Sequence, residues 1–223
     1  MGIGVSIRYS KAMHIKGYVK HIKQGTIPPY PPDGLEQGGY PFTFNPGYYN
    51  VRSECISLGL WVVIDKIWTH KLAQWIGRRK IIEIMAGGGW LAKALSFYGV
   101  DITATDNYSW NSNGSIGKQY PVKRMTAIKA ARLPGDILLV SWPPYEDKAI
   151  CRACKVWGEG RPIIYIGEDK GGCNATDEFF EHFKTIKYPD FGMVSWDGIH
   201  DRIKIGYWQG DSNNGLSGNN TND

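Results

Sequence analysis

Long apolar runs are missing from this chain of 223 residues. The longest near-apolar stretch, Ile56 to Ile64, falls short of the ~20 residues that cross a bilayer. The N-terminus has no uninterrupted apolar core, so no secretory leader is read there. A soluble, cytoplasmic protein with no membrane partner is the expectation. The glycosylation-like triplets Asn174 to Thr176 and Asn219 to Thr221 carry no meaning without secretion. Cysteine is scarce: Cys55, Cys151, Cys154 and Cys173. Cys151 and Cys154 fall three apart on an expected helix and share one side of it. A zinc site wants a second closely spaced pair, and the sequence has none. Small buried hydrophobes are therefore the better reading, and no metal is assigned. Acid is absent from two stretches. Residues 1–32 hold Arg8, Lys11, Lys16, Lys20 and Lys23, and residues 118–135 hold Lys118, Lys123, Arg124, Lys129 and Arg132, with no Asp or Glu in either. Within a net charge of +5, such blocks fit an anionic partner such as nucleic acid, or an ordinary solvated basic face.

What the chain does have is a strongly patterned centre, Lys80 to Asp106. Ile81, Ile82, Ile84 and Met85 form a short apolar run suited to a buried parallel strand. Ala86, Gly87, Gly88 and Gly89 follow at once, where the chain must turn and a ligand can touch bare backbone. Trp90 to Tyr98 reads as a helix closed by Gly99. Ile102 to Thr105 reads as a second strand with Asp106 at its carboxyl end. This is half of a nucleotide-binding unit, with glycines beneath the ligand and a carboxylate about 20 residues on for ribose hydroxyls.

Two cofactors fit that half. Gly87 to Ala92 matches the dinucleotide fingerprint, so an NAD(P)- or flavin-dependent oxidoreductase stays open. Glu83, four residues before Gly87 and inside the strand, makes a different pattern. The run Glu83 to Gly89 resembles the E-x-G-x-G-x-G motif of class I S-adenosylmethionine (SAM)-dependent methyltransferases, with Met85 at the position of the motif's first glycine. The resemblance implies that Glu83, Met85, Ala86, Gly87, Gly88 and Gly89 form the SAM turn, and that Asp106 with Asn107 holds the ribose. Thr126 and Ala127, after a weak third strand at Val122 to Met125, stand where the family often has an Asp for the adenine amino group. Backbone or the Thr126 hydroxyl must replace it.

The second landmark is Asp136 to Val140, a clear strand running into Ser141, Trp142, Pro143, Pro144 and Tyr145. Strand ends of this kind line the ligand crevice in open α/β sheets. The segment resembles the (D/N/S)-P-P-(Y/F) motif of methyltransferases that modify amino nitrogens. There the polar residue and the first proline's carbonyl accept hydrogen bonds from the target amino group, and the aromatic ring stacks on it. Here Trp142 occupies the polar position, and an indole donates one hydrogen bond and accepts none. Ser141, or the carbonyls of Ser141 and Trp142, must serve instead, or the target is not an amino nitrogen. The chemistry implied is direct displacement from a sulfonium methyl, which asks mainly for alignment and exclusion of water. Ser141 to Tyr145 are the implied catalytic residues, and Ser141 also touches the cofactor.

The remainder decorates this core. Ser10 to Gln24 reads as a short amphipathic helix, capped by Ser10. Thr26 to Tyr49 is rich in Pro, Gly and aromatic residues, fitting either a lid or stacking platform or an irregular strap. Val51 to Ile76 reads as helical, and its Trp61, Trp68 and Trp75 read as core. Tyr49 and Arg52 at its head are within reach of a ligand's carboxylate. Tyr108 and Trp110 are placed to stack on the adenosine. Asp147 to Trp157 reads as a helix, Pro162 to Ile166 as a strand leading to Glu168, and Thr176 to Lys187 as a helix. Phe191 to Trp196 and Arg202 to Trp208 read as a closing antiparallel hairpin, with His200 in its turn as a candidate base. The expected architecture is an α/β doubly wound, mostly parallel sheet with one antiparallel hairpin. It divides into an N-terminal extension (1–50), a Rossmann-like domain (51–209) and a disordered tail (210–223). The implied function is SAM-dependent methyl transfer, with an amino nitrogen of a nucleic-acid base as the leading acceptor. A protein or small-molecule acceptor stays open, as does a degenerate methyltransferase fold that only binds nucleic acid.

Overall fold

Three short runs of branched apolar residues bury both their faces and pair in parallel at the centre of the sheet. The computed structural model describes residues 11–39, 46–109 and 117–210. Its strands are β1 (Ile81–Ile84), β2 (Ile102–Asp106), β3 (Val122–Arg124), β4 (Ile137–Ser141), β5 (Pro162–Gly167), β6 (Phe183–Thr185) and β7 (Arg202–Trp208). They form one sheet in the order β3-β2-β1-β4-β5-β7-β6, with β7 antiparallel to both of its neighbours. The helices are α1 (Ile15–Lys23), α2 (Pro46–Ser57), α3 (Lys66–Ile76), α4 (Trp90–Ser96), α5 (Ala127–Ala130), α6 (Ala149–Trp157) and α7 (Asp177–His182).

Alternation along the strands splits the core into two layers. Ile81, Ile137, Leu139, Ile164 and Ile166 face a layer built from α3, α4 and the irregular 58–64 and 191–196 segments. Ile82, Ile84, Leu138, Val140, Ile163 and Tyr165 face α5, α6 and α7. Each such side chain removed from water contributes about 1.5–3 kcal/mol. Cys151 and Cys154 lie buried in the second layer. No helix of the described residues is long and apolar enough to cross a membrane.

Several boundaries differ from those expected. The Val51 to Ile76 stretch is two helices, because Gly59 takes φ +79° and Asp65 starts a new helix by accepting from Ile67 N and Trp68 N at 2.7 and 3.2 Å. Trp68 alone of its tryptophan stripe is fully buried, while Trp61 is 38% exposed. Phe191 to Trp196 is not a strand. It is a buried extended segment whose Ser195 N donates to Glu36 O and whose Trp196 ring meets Tyr18 edge-on. The strand beside β7 is instead Phe183–Thr185, because α7 stops at His182 and Gly206 lets the Lys184 carbonyl approach to 2.2 Å from where a Cβ would stand. The first helix begins at Ile15 with the His14 side chain as its cap. Ser10, Tyr40, Trp110 and the tail beyond 210 lie outside the described residues. Residues 11–39 are strapped to the sheet domain: Ile64 N donates to the Tyr18 hydroxyl and Lys66 N to Pro28 O, both at 2.9 Å.

Candidate active site

At the end of β1 the chain reverses over three residues. Gly89 N donates to Ala86 O at 2.8 Å, and Gly89 (φ +77°) begins α4. A Cβ on Gly89 would stand 2.9 Å from Tyr120 Cβ and Val122 Cγ2, so only glycine fits. Met85 takes φ +56°, a left-handed conformation that costs a non-glycine residue about 1–2 kcal/mol. The backbone shape that suits glycine is therefore kept here with a methionine in it. The Asp106 carboxylate ties this turn to β2, accepting from Gly87 N at 2.8 Å and Tyr108 N at 2.6 Å. Glu83 lies 1% exposed within β1, and its Oε2 has no hydrogen-bond partner among the described residues. Burial first, then the charge of Asp106, raises its carboxyl to about 8, so it is largely protonated at neutral pH.

These groups open on one cavity of about 670 Å³ at the carboxyl ends of β1 to β4, a size usual for ligand sites. Glu83, Met85, Ala86, Gly87, Asp106, Asn107, Thr126, Ala127, Ser141, Trp142, Pro143, Pro144 and Tyr145 all line it. Gly88 and Gly89 lie behind the wall: Gly88 O accepts from Gln119 N at 2.7 Å. Across the strand order the cavity has two poles. Beside Asp106, the residues Met125, Thr126, Ala127 and Ile128 form a mainly apolar slot. The Thr126 hydroxyl caps α5, accepting from Lys129 N at 3.3 Å. Tyr108 does not line the cavity; its ring meets the Lys118 ammonium, 5.0 Å from the ring centroid.

The opposite pole differs from sequence expectation. Trp142 adopts φ +50°, and its indole N–H donates to Asp201 Oδ2 at 3.0 Å. The Pro143 carbonyl accepts from Ala175 N at 3.2 Å. The first proline's carbonyl, which the resemblance assigns to an amino target, is thus engaged within the protein. Trp142 stacks instead on Trp61, with ring centroids 6.2 Å apart and planes 24° off parallel. Its ring also carries the Arg52 guanidinium, 5.8 Å from the centroid. Asp201 is 1% exposed, with Oδ1 unpartnered; burial raises its carboxyl to about 6. Tyr145 is 64% exposed and lines the mouth.

Glu168 is buried and turned inward, accepting from Cys173 N at 2.8 Å and His200 N at 3.1 Å. His200 does not line the cavity. Its Nδ1 lies 2.7 Å from Gly38 O, and a carbonyl only accepts, so Nδ1 carries the proton and is engaged. His200 pins the 37–39 segment through this bond. Sequence reasoning placed Trp61 in the core and missed Asp201. Gly59 inside the supposed helix was the signal for Trp61, whereas Asp201 gave none, since its partner is 59 residues away.

No protein-family model matches the chain, and no curated protein sequence matches it. Solved structures do resemble it. Magnesium protoporphyrin IX methyltransferase from Synechocystis PCC 6803 with bound SAM is 14% identical, with a TM-score of 0.43 over 65% of this chain and 79% of that one. A tRNA methyltransferase from Aquifex aeolicus is 15% identical, with a TM-score of 0.41 over 69% and 75%. A ribosomal protein methylase from Lactobacillus delbrueckii subsp. bulgaricus is 11% identical, with a TM-score of 0.40 over 64% and 77%. Likeness of this size speaks for neither cofactor nor substrate, and the fold rests on the strand order itself. The order β3-β2-β1-β4-β5-β7-β6, with its one reversed strand and its glycine turn after β1, is the expected α/β doubly wound, mostly parallel sheet with one antiparallel hairpin.

Proposed function

We propose that this protein is a SAM-dependent methyltransferase whose acceptor enters beside Trp61 and Tyr145. One observation carries the reading. The glycine turn, the acid ending β2 and the Pro-Pro-Tyr segment ending β4 are far apart in sequence, yet all line a single cavity. The residues present fit SAM. Asp106 suits a ribose diol, and the Met125 to Ile128 slot suits an adenine ring. Glu83, buried with an unpartnered oxygen, suits a hydrogen-bonding group of the ligand. Bound there, SAM supplies an electrophilic methyl carbon on its sulfonium. The chain's own work is alignment: Pro143 and Pro144 stiffen the β4 end, and Tyr145 offers a face on which a planar acceptor stacks.

Nucleic acid is the acceptor class these features favour. Lys16, Lys20, Lys118, Lys123, Arg124, Lys129 and Arg132 are all exposed. The two basic stretches meet where Gly25, just past α1, packs on the Gln119 side chain. Exposed aromatic rings at the cavity mouth stack bases of any sequence. With Trp142 committed to Asp201, stacking rather than side-chain capture of an amino group orients the base.

Calorimetric titration with SAM, S-adenosylhomocysteine and NAD tests the cofactor. Micromolar binding of the first two is expected, weakened more than about 30-fold in Asp106→Ala. Binding of NAD alone would assign the cavity to a dinucleotide. Incubation of the protein with labelled SAM and total RNA or DNA then tests the acceptor; label found only in protein or small molecules would remove the nucleic-acid assignment.

A further inference from the structure

We propose that Arg52 is the anchor for the cofactor's α-carboxylate, and that Trp142, locked by Asp201, is the shelf that holds it in place. The inference rests on the SAM reading above and adds to it a role for the tryptophan that departs from the methyltransferase motif.

The strand order fixes the direction in which a bound cofactor lies. β3, β2, β1 and β4 are neighbours in that sequence, about 4.8 Å apart per step. Ala104 pairs with Glu83, and Val140 with Ile84. Asp106 and Ser141 therefore flank the Met85 turn on opposite sides. With ribose on Asp106 and adenine in the slot beyond it, the amino-acid tail extends over β1 toward β4. A carboxylate ends that tail and needs a cation. Among the described residues lining the cavity, Glu83, Asp106 and Asp147 are acids, and Arg52 alone is basic. It lies on the β4 side, against Trp142. Its Nε is buried with no hydrogen-bond partner, a donor in search of an acceptor in a site where unmade bonds are costly.

Trp142 explains how so flexible a side chain stays there. Guanidinium groups pack on indole faces, and this indole cannot rotate away while its N–H is bonded to Asp201 at 3.0 Å. Trp61 stacks on the same indole. Burial lowers the guanidinium's hold on its proton, and nearby Asp201 and Glu168 offset this in part. A polar residue at position 142 would capture an acceptor; the indole instead mounts a cofactor ligand. Tyr49, the other candidate for a carboxylate, is 65% exposed and does not line the cavity.

The experiment compares two ligands that differ in the tail. S-adenosylhomocysteine carries the amino-acid tail, and 5′-methylthioadenosine lacks it. Calorimetry on Arg52→Gln is expected to show S-adenosylhomocysteine weakened roughly 10- to 100-fold, with 5′-methylthioadenosine changed by less than about 3-fold. Arg52→Lys, which keeps the charge without the fork, is expected between wild type and Arg52→Gln. Trp142→Ala is expected to weaken S-adenosylhomocysteine selectively but less, and Trp142→Phe, which keeps a ring face, to restore part of the loss. Near-UV circular dichroism verifies the fold of each variant. Equal loss for both ligands in Arg52→Gln would mean a structural role and overturn the proposal. No loss for either would assign Arg52 to the acceptor and overturn it as well. Wild-type protein that binds neither ligand would instead bring down the cofactor reading, and the anchor with it.

Discussion

The two poles of the cavity are built in opposite ways. The Asp106 pole is local: Glu83, the glycine turn and Asp106 fall within 24 residues, and Asp106 is held by backbone N–H groups of Gly87 and Tyr108. The Trp142 pole is assembled from Arg52, Trp61, Trp142, Glu168 and Asp201, which four different connections bring together. Its bonds run between side chains, or from loop backbone to a distant carboxylate. The first pole is a property of a supersecondary unit and tolerates variation in the rest of the chain. The second exists only once the whole sheet has closed, because each of its groups is positioned by a different element.

Titration separates the poles with the largest expected effect. Glu83, Asp65 and Asp201 rise by burial to about 8, 7 and 6, against ordinary values near 4. A raised acid keeps its proton in the fold after the unfolded chain has lost it. Stability therefore falls as pH rises through the window from about 4 to 8. Denaturant unfolding is expected to show a loss of at least ~2 kcal/mol between pH 5 and 8.5. Glu83→Gln removes the upper part of that slope, and Asp201→Asn the lower part. A stability that rises with pH across this window would mean the poles' carboxylates are charged in the fold.

The next effect probes the Trp142 pole alone. Asp201→Ala leaves the half-buried Trp142 indole N–H without its partner, at a cost of about 1–3 kcal/mol. Asp201→Asn retains an acceptor oxygen and is expected to cost less. Equal losses in the two variants, read as urea midpoints, would show that the Trp142 bond is not what Asp201 contributes. The smallest effect belongs to the Asp106 pole. Met85→Gly relieves a left-handed methionine but loosens the unfolded chain, so the net change is expected within ~1 kcal/mol. Met85→Val, β-branched at the same φ, is expected to be clearly worse. Identical stability of the two would mean that the Met85 backbone is not strained.

Most of the first pole was legible because each signal lies within reach of its partner along the chain. The β1 run, the glycines and Asp106 are one strand-turn-helix-strand unit, and the structure reproduces it nearly to the residue. The Pro-Pro-Tyr segment was legible as a strand end, and it does line the cavity. Its role was not legible, since whether Trp142 captures an acceptor or turns inward depends on Asp201. The hairpin shows the same limit. Phe191 to Trp196 has the composition of a strand, but its apolar side chains found a place beneath α1, and the shorter Phe183–Thr185 took the edge. Burial is satisfied by any apolar surface, so hydrophobic pattern predicts that a segment is inside without saying what it pairs with.

The sequence by itself determined the parallel core, the reversal after β1, the acid at the end of β2 and the crevice they imply, because these follow from residue size, backbone freedom and short-range spacing. Tertiary structure alone decided that Trp61 leaves the core for the cavity, that His200 pins the 37–39 segment, and that Trp142 faces Asp201 while carrying Arg52. Those outcomes turn on which polar groups meet after the sheet closes, and a buried polar group takes the partner that the fold delivers.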